Sequence, residues 1–182
     1  MQTIQCISPI DGSIYAERPV ASLEQIQACF TNSRTAQTAW KRLSIQERAK
    51  YCKAAVDAML IMKERIVEEL AWQMGRPMSV GAGEMRGFEE RARYMIEIAE
   101  TALADLVPSP KTGFERRIVR EPLGVVLTIA PWNYPFLTTV NSVIPALMAG
   151  NTVVLKHAAN TLLVAERFQD AFDEAGLPQG VF

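Results

Sequence analysis

Thr128-Ile129-Ala130-Pro131-Trp132-Asn133-Tyr134-Pro135 is the stretch that decides the fold. It closes an apolar run, Gly124 to Ile129, of the kind a parallel strand covered on both faces shows. It then opens a helix, with Pro135 in the first turn, where the missing N–H costs nothing. The carboxamide of Asn133 thus sits where a strand turns into a helix. In open α/β sheets that turn lies in the ligand crevice at the carboxyl ends of the strands. A second unit of the same kind follows: Asn151-Thr152-Val153-Val154-Leu155-Lys156, then another helical stretch. Its strand ends on a lysine. The pattern is β-α-β-α, and it predicts two polar groups presented from neighbouring strand ends.

Upstream the periodicity is helical. Short β-like pieces within residues 3 to 20 flank a turn at Pro9-Ile10-Asp11-Gly12. Ser22 with Gln25, and Ser44 with Glu47, are capping-box signals. The second opens what reads as one long amphipathic helix through Leu70, ended by Gly75 and Pro77. A further helix is expected from about Val80 to Leu106, stopped by Pro108 and Pro110. Residues 114 to 121 read as an exposed connecting strand. Pro145 should kink or shorten the helix that begins at Pro135, and a last helix is expected from about Thr161 to Ala175. The expected division is residues 1–113 as a helical segment of the cofactor-binding domain, 114–121 as a connecting or oligomerisation-type strand, and 122–182 as the first part of a Rossmann-like sheet.

Composition narrows the function. The chain has 182 residues, 49% of them apolar, so it can bury a core. With 19 basic and 20 acidic residues, its net charge of −1 gives no electrostatic reason to bind nucleic acid or an anionic membrane. No apolar run reaches the roughly 20 residues of a membrane span. The N-terminus lacks the basic-then-apolar order of a secretory signal, so the expected location is cytoplasmic. Three cysteines and one histidine, without a Cys-x-x-Cys pair, predict neither a disulfide framework nor a metal site. Cys29 and Cys52 fall on apolar helical positions and are expected as buried, inert thiols. Gly81, Gly83 and Gly87 have the wrong spacing for a dinucleotide turn and follow no strand, so they read as a flexible start to a helix.

Asn133 alone could cap its helix, and Lys156 alone could be a solvated strand end; their occurrence in consecutive β-α units argues for a site. The wider sequence supports this. Pro131-Trp132-Asn133-Tyr134-Pro135 and the run from Pro145 to Lys156 resemble the aldehyde dehydrogenase superfamily. So do Ser8 to Gly12, Met74-Gly75-Arg76-Pro77, Arg120 to Val126, and Glu174 to Val181, in the family's order. The resemblance implies an α/β fold: a helical layer plus the first two β-α units of a Rossmann-like parallel sheet, an incomplete aldehyde dehydrogenase fold. It implies oxidation of a small-molecule aldehyde to the acid with NAD or NADP, and a homo-oligomer for the complete enzyme. Asn133 would donate to the oxyanion formed when a cysteine attacks the aldehyde. Ile129, Trp132, Asn133, Lys156 and Ala159 would contact cofactor, Lys156 through the adenosine ribose or the extra phosphate of NADP.

Two departures shape the expectation. The variant Leu155-Lys156-His157-Ala158-Ala159-Asn160 resembles a branch that includes succinate-semialdehyde dehydrogenases. Ala159 stands where NAD-preferring members often carry a ribose-binding glutamate, so NADP should be tolerated or preferred. His157 replaces a common proline and is expected to be structural or solvent-facing. The family's catalytic cysteine and general-base glutamate have no counterpart here, so the chain reads as an N-terminal portion, inactive alone. A catalytically inactive gene fragment, or a split-enzyme subunit that pairs with a second chain, is the alternative.

Overall fold

The computed structural model describes residues 2–182; Met1, the first residue of the 1–113 segment, lies outside them. The chain opens with an antiparallel hairpin, β1 (Thr3–Ile7) and β2 (Ile14–Pro19), turned at Pro9 to Gly12. Four helices follow: α1 (Leu23–Trp40), α2 (Ile45–Ile61), α3 (Lys63–Met74) and α4 (Met78–Ala102). Both capping boxes form. The Ser22 and Ser44 hydroxyls accept the Gln25 and Glu47 N–H groups, and the Gln25 and Glu47 side chains return to the cap backbone.

The long helix expected from Ser44 is two helices. It breaks at Met62, which leaves helical dihedrals (φ −83°, ψ 2°) and whose N–H bonds to Leu60 and Met59 rather than one full turn back. Four apolar residues run together there, Met59 to Met62; Met59 is buried, Leu60 and Met62 pack against the core, and the exposed Ile61 marks the corner. No glycine or proline signals the break. At the far end of α3, Gly75 takes φ +74° as a left-handed cap, releasing the chain through Arg76 and Pro77 into α4.

Gly81, Gly83 and Gly87 lie inside α4, not at a loose start. Two of them permit close packing: a Cβ at Gly81 would meet Val67 Cγ1 at 3.1 Å, and one at Gly87 would meet Leu137 Cδ1 at 3.0 Å. Residues 114–121 do not pair as a continuous strand in this chain. Ile118 bridges only to Leu106, and Phe114 only to Lys111. A strand needs a neighbour along its length, and here only single residues provide one.

The second sheet is parallel: β3 (Val125–Ile129) beside β4 (Thr152–Lys156), joined through α5 (Pro135–Met148). Pro145 lies in the last turn of α5 and does not end it early. A 3₁₀ turn (Ala159–Thr161) leads into α6 (Leu163–Glu174). One face of the sheet meets α5, where Thr128 and Ser142 hydroxyls lie 2.8 Å apart. The other meets α1, where Thr152 donates to the Ser33 carbonyl at 3.2 Å. Behind α5, the rings of Phe88, Phe136 and Phe168 stack and cross at 5.6–6.4 Å between centroids. Each such buried ring contributes about 1.5–3 kcal/mol. The end of α5 is closed by two side chains from the helical layer: Trp40 donates to the Leu147 carbonyl at 3.1 Å and Arg48 to that of Met148 at 3.0 Å.

Candidate active site

Register places the candidate residues. Ile129 is the Cα partner of Lys156 in the parallel ladder, and Ala130 N–H continues it by bonding to the Lys156 carbonyl at 3.0 Å. Directly paired residues of adjacent strands point to the same face. Ile129 and Lys156 therefore project together at the carboxyl edge, beyond the part of that face α1 covers. Ile129 is 70% exposed, and Lys156 and Ala159 are exposed as well. Trp132 and Asn133 sit in the turn immediately after β3, also exposed. All five sequence-predicted residues thus lie at or just beyond the same end of two adjacent strands.

Asn133 does not cap α5. Tyr134 holds the cap position, and it supplies no side-chain bond. The cap comes from 50 residues earlier in the chain. Glu84 of α4 is buried, and its Oε1 accepts the N–H of Phe136 at 2.9 Å and of Leu137 at 3.3 Å. A carboxylate there also faces the positive end of the helix dipole. Its Oε2 pairs with Arg76, whose second nitrogen donates to the Asn133 carbonyl. The same guanidinium carbon stands 4.4 Å from the centre of the Tyr134 ring. Burial raises the Glu84 carboxyl above its ordinary value, opposed by Arg76 and the two helix N–H groups. The motif Met74 to Pro77 was legible in the sequence, but this role for Arg76 was not.

His157 is buried, which realises the structural expectation and rules out the solvent-facing one. Its Nδ1 accepts the Ala158 N–H at 2.9 Å and lies 2.9 Å from the Thr161 hydroxyl. That leaves the proton on Nε2, which reaches the Pro135 carbonyl at 3.4 Å. Burial, reinforced by the Lys156 charge, lowers its pKa from 6.5 to about 4.

The thiols lie apart from this turn. Cys52 is buried in α2, and burial pushes it up to about 12. Cys6 is buried in β1 against the Gln73 and Asn160 carbonyls, with its pKa raised by burial. Cys29 is exposed on α1, against expectation: Leu23 and Ile26 on the same face are exposed too, α1 burying only Ser33 and Trp40 in its second half, and Cys29 opens onto the groove shared with Val154 and Phe182. Among the described residues no group of three or more His, Cys, Asp or Glu side chains could hold a metal ion.

Residues 1–182 match the profile of the aldehyde dehydrogenase family, and the chain belongs to that family. It is 32% identical to the NADP-dependent glyceraldehyde-3-phosphate dehydrogenase of Streptococcus equinus, over 100% of this chain and 39% of that one. It is 29% identical to the mitochondrial succinate-semialdehyde dehydrogenase of Arabidopsis thaliana, over 98% of this chain and 34% of that one. A solved NAD-dependent benzaldehyde dehydrogenase from Corynebacterium glutamicum superposes with a TM-score of 0.91 at 31% identity, over 99% of this chain and 39% of that one. The chain spans less than two fifths of the length of these relatives. Its helical layer and two β-α units are the N-terminal part of the aldehyde dehydrogenase fold.

Proposed function

We propose that this chain builds the oxyanion and ribose sides of the catalytic cleft of an NAD(P)-dependent aldehyde dehydrogenase, with the cysteine nucleophile and the general-base glutamate supplied from outside its 182 residues. The observation that carries this reading is the pairing of Ile129 with Lys156 beside the Asn133 turn, on one open strand edge. A developing alkoxide needs a fixed neutral donor, and a carboxamide provides N–H without a competing charge. Asn133 has its backbone anchored by Arg76 while its side chain is spared from capping. Lys156 adds an ammonium for ribose hydroxyls or phosphate, and exposed Ile129 an apolar wall for the same ligand. These residue types fit a nicotinamide dinucleotide, which when bound would take up the hydride. Ala159 places no carboxylate near Lys156, which favours tolerance of NADP. The relatives named above use NADP in one case and NAD in another. A semialdehyde such as succinate semialdehyde is the substrate class the run Leu155 to Asn160 favours.

A nucleophilic thiolate requires a lowered pKa or an adjacent base. Cys6 and Cys52 have raised values instead, which supports a chain inactive alone. The exposed Leu123, Leu127 and Ile129 support a second polypeptide segment packing on this sheet. The test is aldehyde-dependent NAD(P)H formation at 340 nm. The 182-residue chain should give none, and the whole protein should lose about 10²-fold in kcat on Asn133→Ala. Turnover by the chain alone, or an unaffected Asn133→Ala, would overturn the reading.

A further inference from the structure

We propose that Arg76 and Glu84 are positioning residues that hold the Asn133 turn in register with the start of α5, so that the Asn133 carboxamide is presented at a fixed point. The inference rests on the oxyanion reading of Asn133 above, and extends it to two groups outside the cleft.

The turn Ala130 to Tyr134 has one local source of rigidity, the φ that Pro131 fixes. That constraint lies two residues before Asn133, and no side chain of the turn caps the helix it opens. A donor that must be fixed to within a fraction of an ångström therefore depends on contacts from elsewhere. One guanidinium supplies two of them and ties both to α4. Arg76 pairs with Glu84 through Nη1, donates to the Asn133 carbonyl through Nη2, and lies over the Tyr134 ring. Glu84 then ties the same unit to the first N–H groups of α5. Both side chains are withdrawn from water, at 7% and 0% exposure. A buried ion pair is weak evidence for stability, because desolvation offsets much of the attraction. Here its geometry bridges an α4 carboxylate to the carbonyl of Asn133, which is what positioning requires. The planar fork of arginine is necessary, since the single nitrogen of lysine cannot reach both acceptors from one side chain.

The experiment is a double-mutant cycle on the whole protein, read as kcat and KM for aldehyde-dependent NAD(P)H formation. Arg76→Lys keeps the charge but loses the fork; Arg76→Met removes both. Each should lower kcat by roughly tenfold to a hundredfold, the range that a displacement of about 1 Å produces, with KM for the cofactor changed less than twofold. The deciding measurement is the Arg76→Met/Asn133→Ala pair. With the donor already gone, loss of its anchor should add little, less than threefold. Fully additive losses would assign Arg76 a general structural role and overturn the proposal. If Asn133→Ala alone left kcat intact, the oxyanion reading and the proposal would fall together; if Asn133→Ala is damaging and both Arg76 variants are not, only the proposal falls. Should Arg76→Met fold poorly, amide hydrogen exchange of the Arg76→Lys chain decides: exchange at Phe136 and Leu137 should quicken at least tenfold, and unchanged protection there would count against positioning.

Discussion

The single histidine makes one prediction unusually clean. His157 is 7% exposed, and its Nδ1 is committed as an acceptor from Ala158 N–H. A proton on Nδ1 would face that N–H, so the charged ring has no comfortable state here. The native pKa is about 4, against 6.5 for the free side chain. Above pH 6.5 the ring is neutral folded and unfolded, and it contributes no pH dependence. Between pH 6.5 and 4 the unfolded chain binds a proton that the folded chain refuses. Stability is therefore lost as pH falls through that window. At about 1.4 kcal/mol per pH unit, the loss amounts to roughly 3 kcal/mol. Buried Glu69 and Glu84 have raised values and act in the opposite sense, so total stability alone does not isolate the effect. Two measurements do. The ring Cε1 proton is the only histidine signal of the chain, and its NMR titration should have a midpoint near 4. The stability difference between the chain and His157→Asn, from urea unfolding followed by tryptophan fluorescence, should move against the native chain by about 3 kcal/mol between pH 7 and pH 4. A ring titrating at 6.5 or above would refute the reasoning, since it would mean that the ring is hydrated or paired with an acid. The consequence for the site is direct, because His157 links the end of β4 to Pro135 at the start of α5.

Ala159→Glu in the whole protein should weaken NADP at least tenfold relative to NAD, by placing a carboxylate beside Lys156, as measured by the ratio of the two KM values; an unchanged ratio would remove Ala159 from the cofactor site. Cys29 should be the one thiol that reacts promptly with Ellman's reagent in the native chain, with Cys6 and Cys52 reacting only on unfolding; three fast thiols would contradict the burial of the other two. Gly83→Ala should stabilise α4 by about 0.5–1 kcal/mol, since only Arg86 Nη2 at 3.8 Å approaches its added methyl. Gly81→Ala should destabilise by about 1 kcal/mol despite the same helix preference, because stiff Val67 stands at 3.1 Å; thermal unfolding of the pair with equal signs would reject the packing role.

What the sequence revealed was what local chemistry encodes. Ser22 with Gln25 and Ser44 with Glu47 announce helix starts because a cap and its partner lie three residues apart. The apolar runs at 124–129 and 152–155 announce parallel strands, but not their burial: Leu127 and Ile129 stay exposed on one face of β3. The succession of the two runs then puts Asn133 and Lys156 at the same sheet edge. The break at Met62 has no local signal, since no proline, glycine or side-chain cap marks it. Cys29 is exposed because a helix pattern shows an apolar face but not whether anything packs on it, and Leu23 and Ile26 beside it are exposed as well. Residues 114–121 have strand-like composition, yet a strand is a pairing, and among the described residues they find only the isolated bridges at Ile118 and Phe114.

The anchor of the Asn133 turn was hidden for a deeper reason. Arg76 and Asn133 are 57 residues apart, and Glu84 and Phe136 are 52 apart. No window of local sequence contains both ends of either bond. This turn fixes one backbone angle through Pro131, but it exchanges further local constraint for bulky Trp132 and Tyr134, residues suited to line a ligand crevice, and is held from outside by Arg76 and by Glu84 of α4. The exchange has a cost in robustness. The placement of the carboxamide depends on how α4 packs on α3 and α5, which close contacts at Gly81 and Gly87 govern. Substitutions at these two remote glycines should therefore disturb Asn133 through Glu84, although neither touches the crevice.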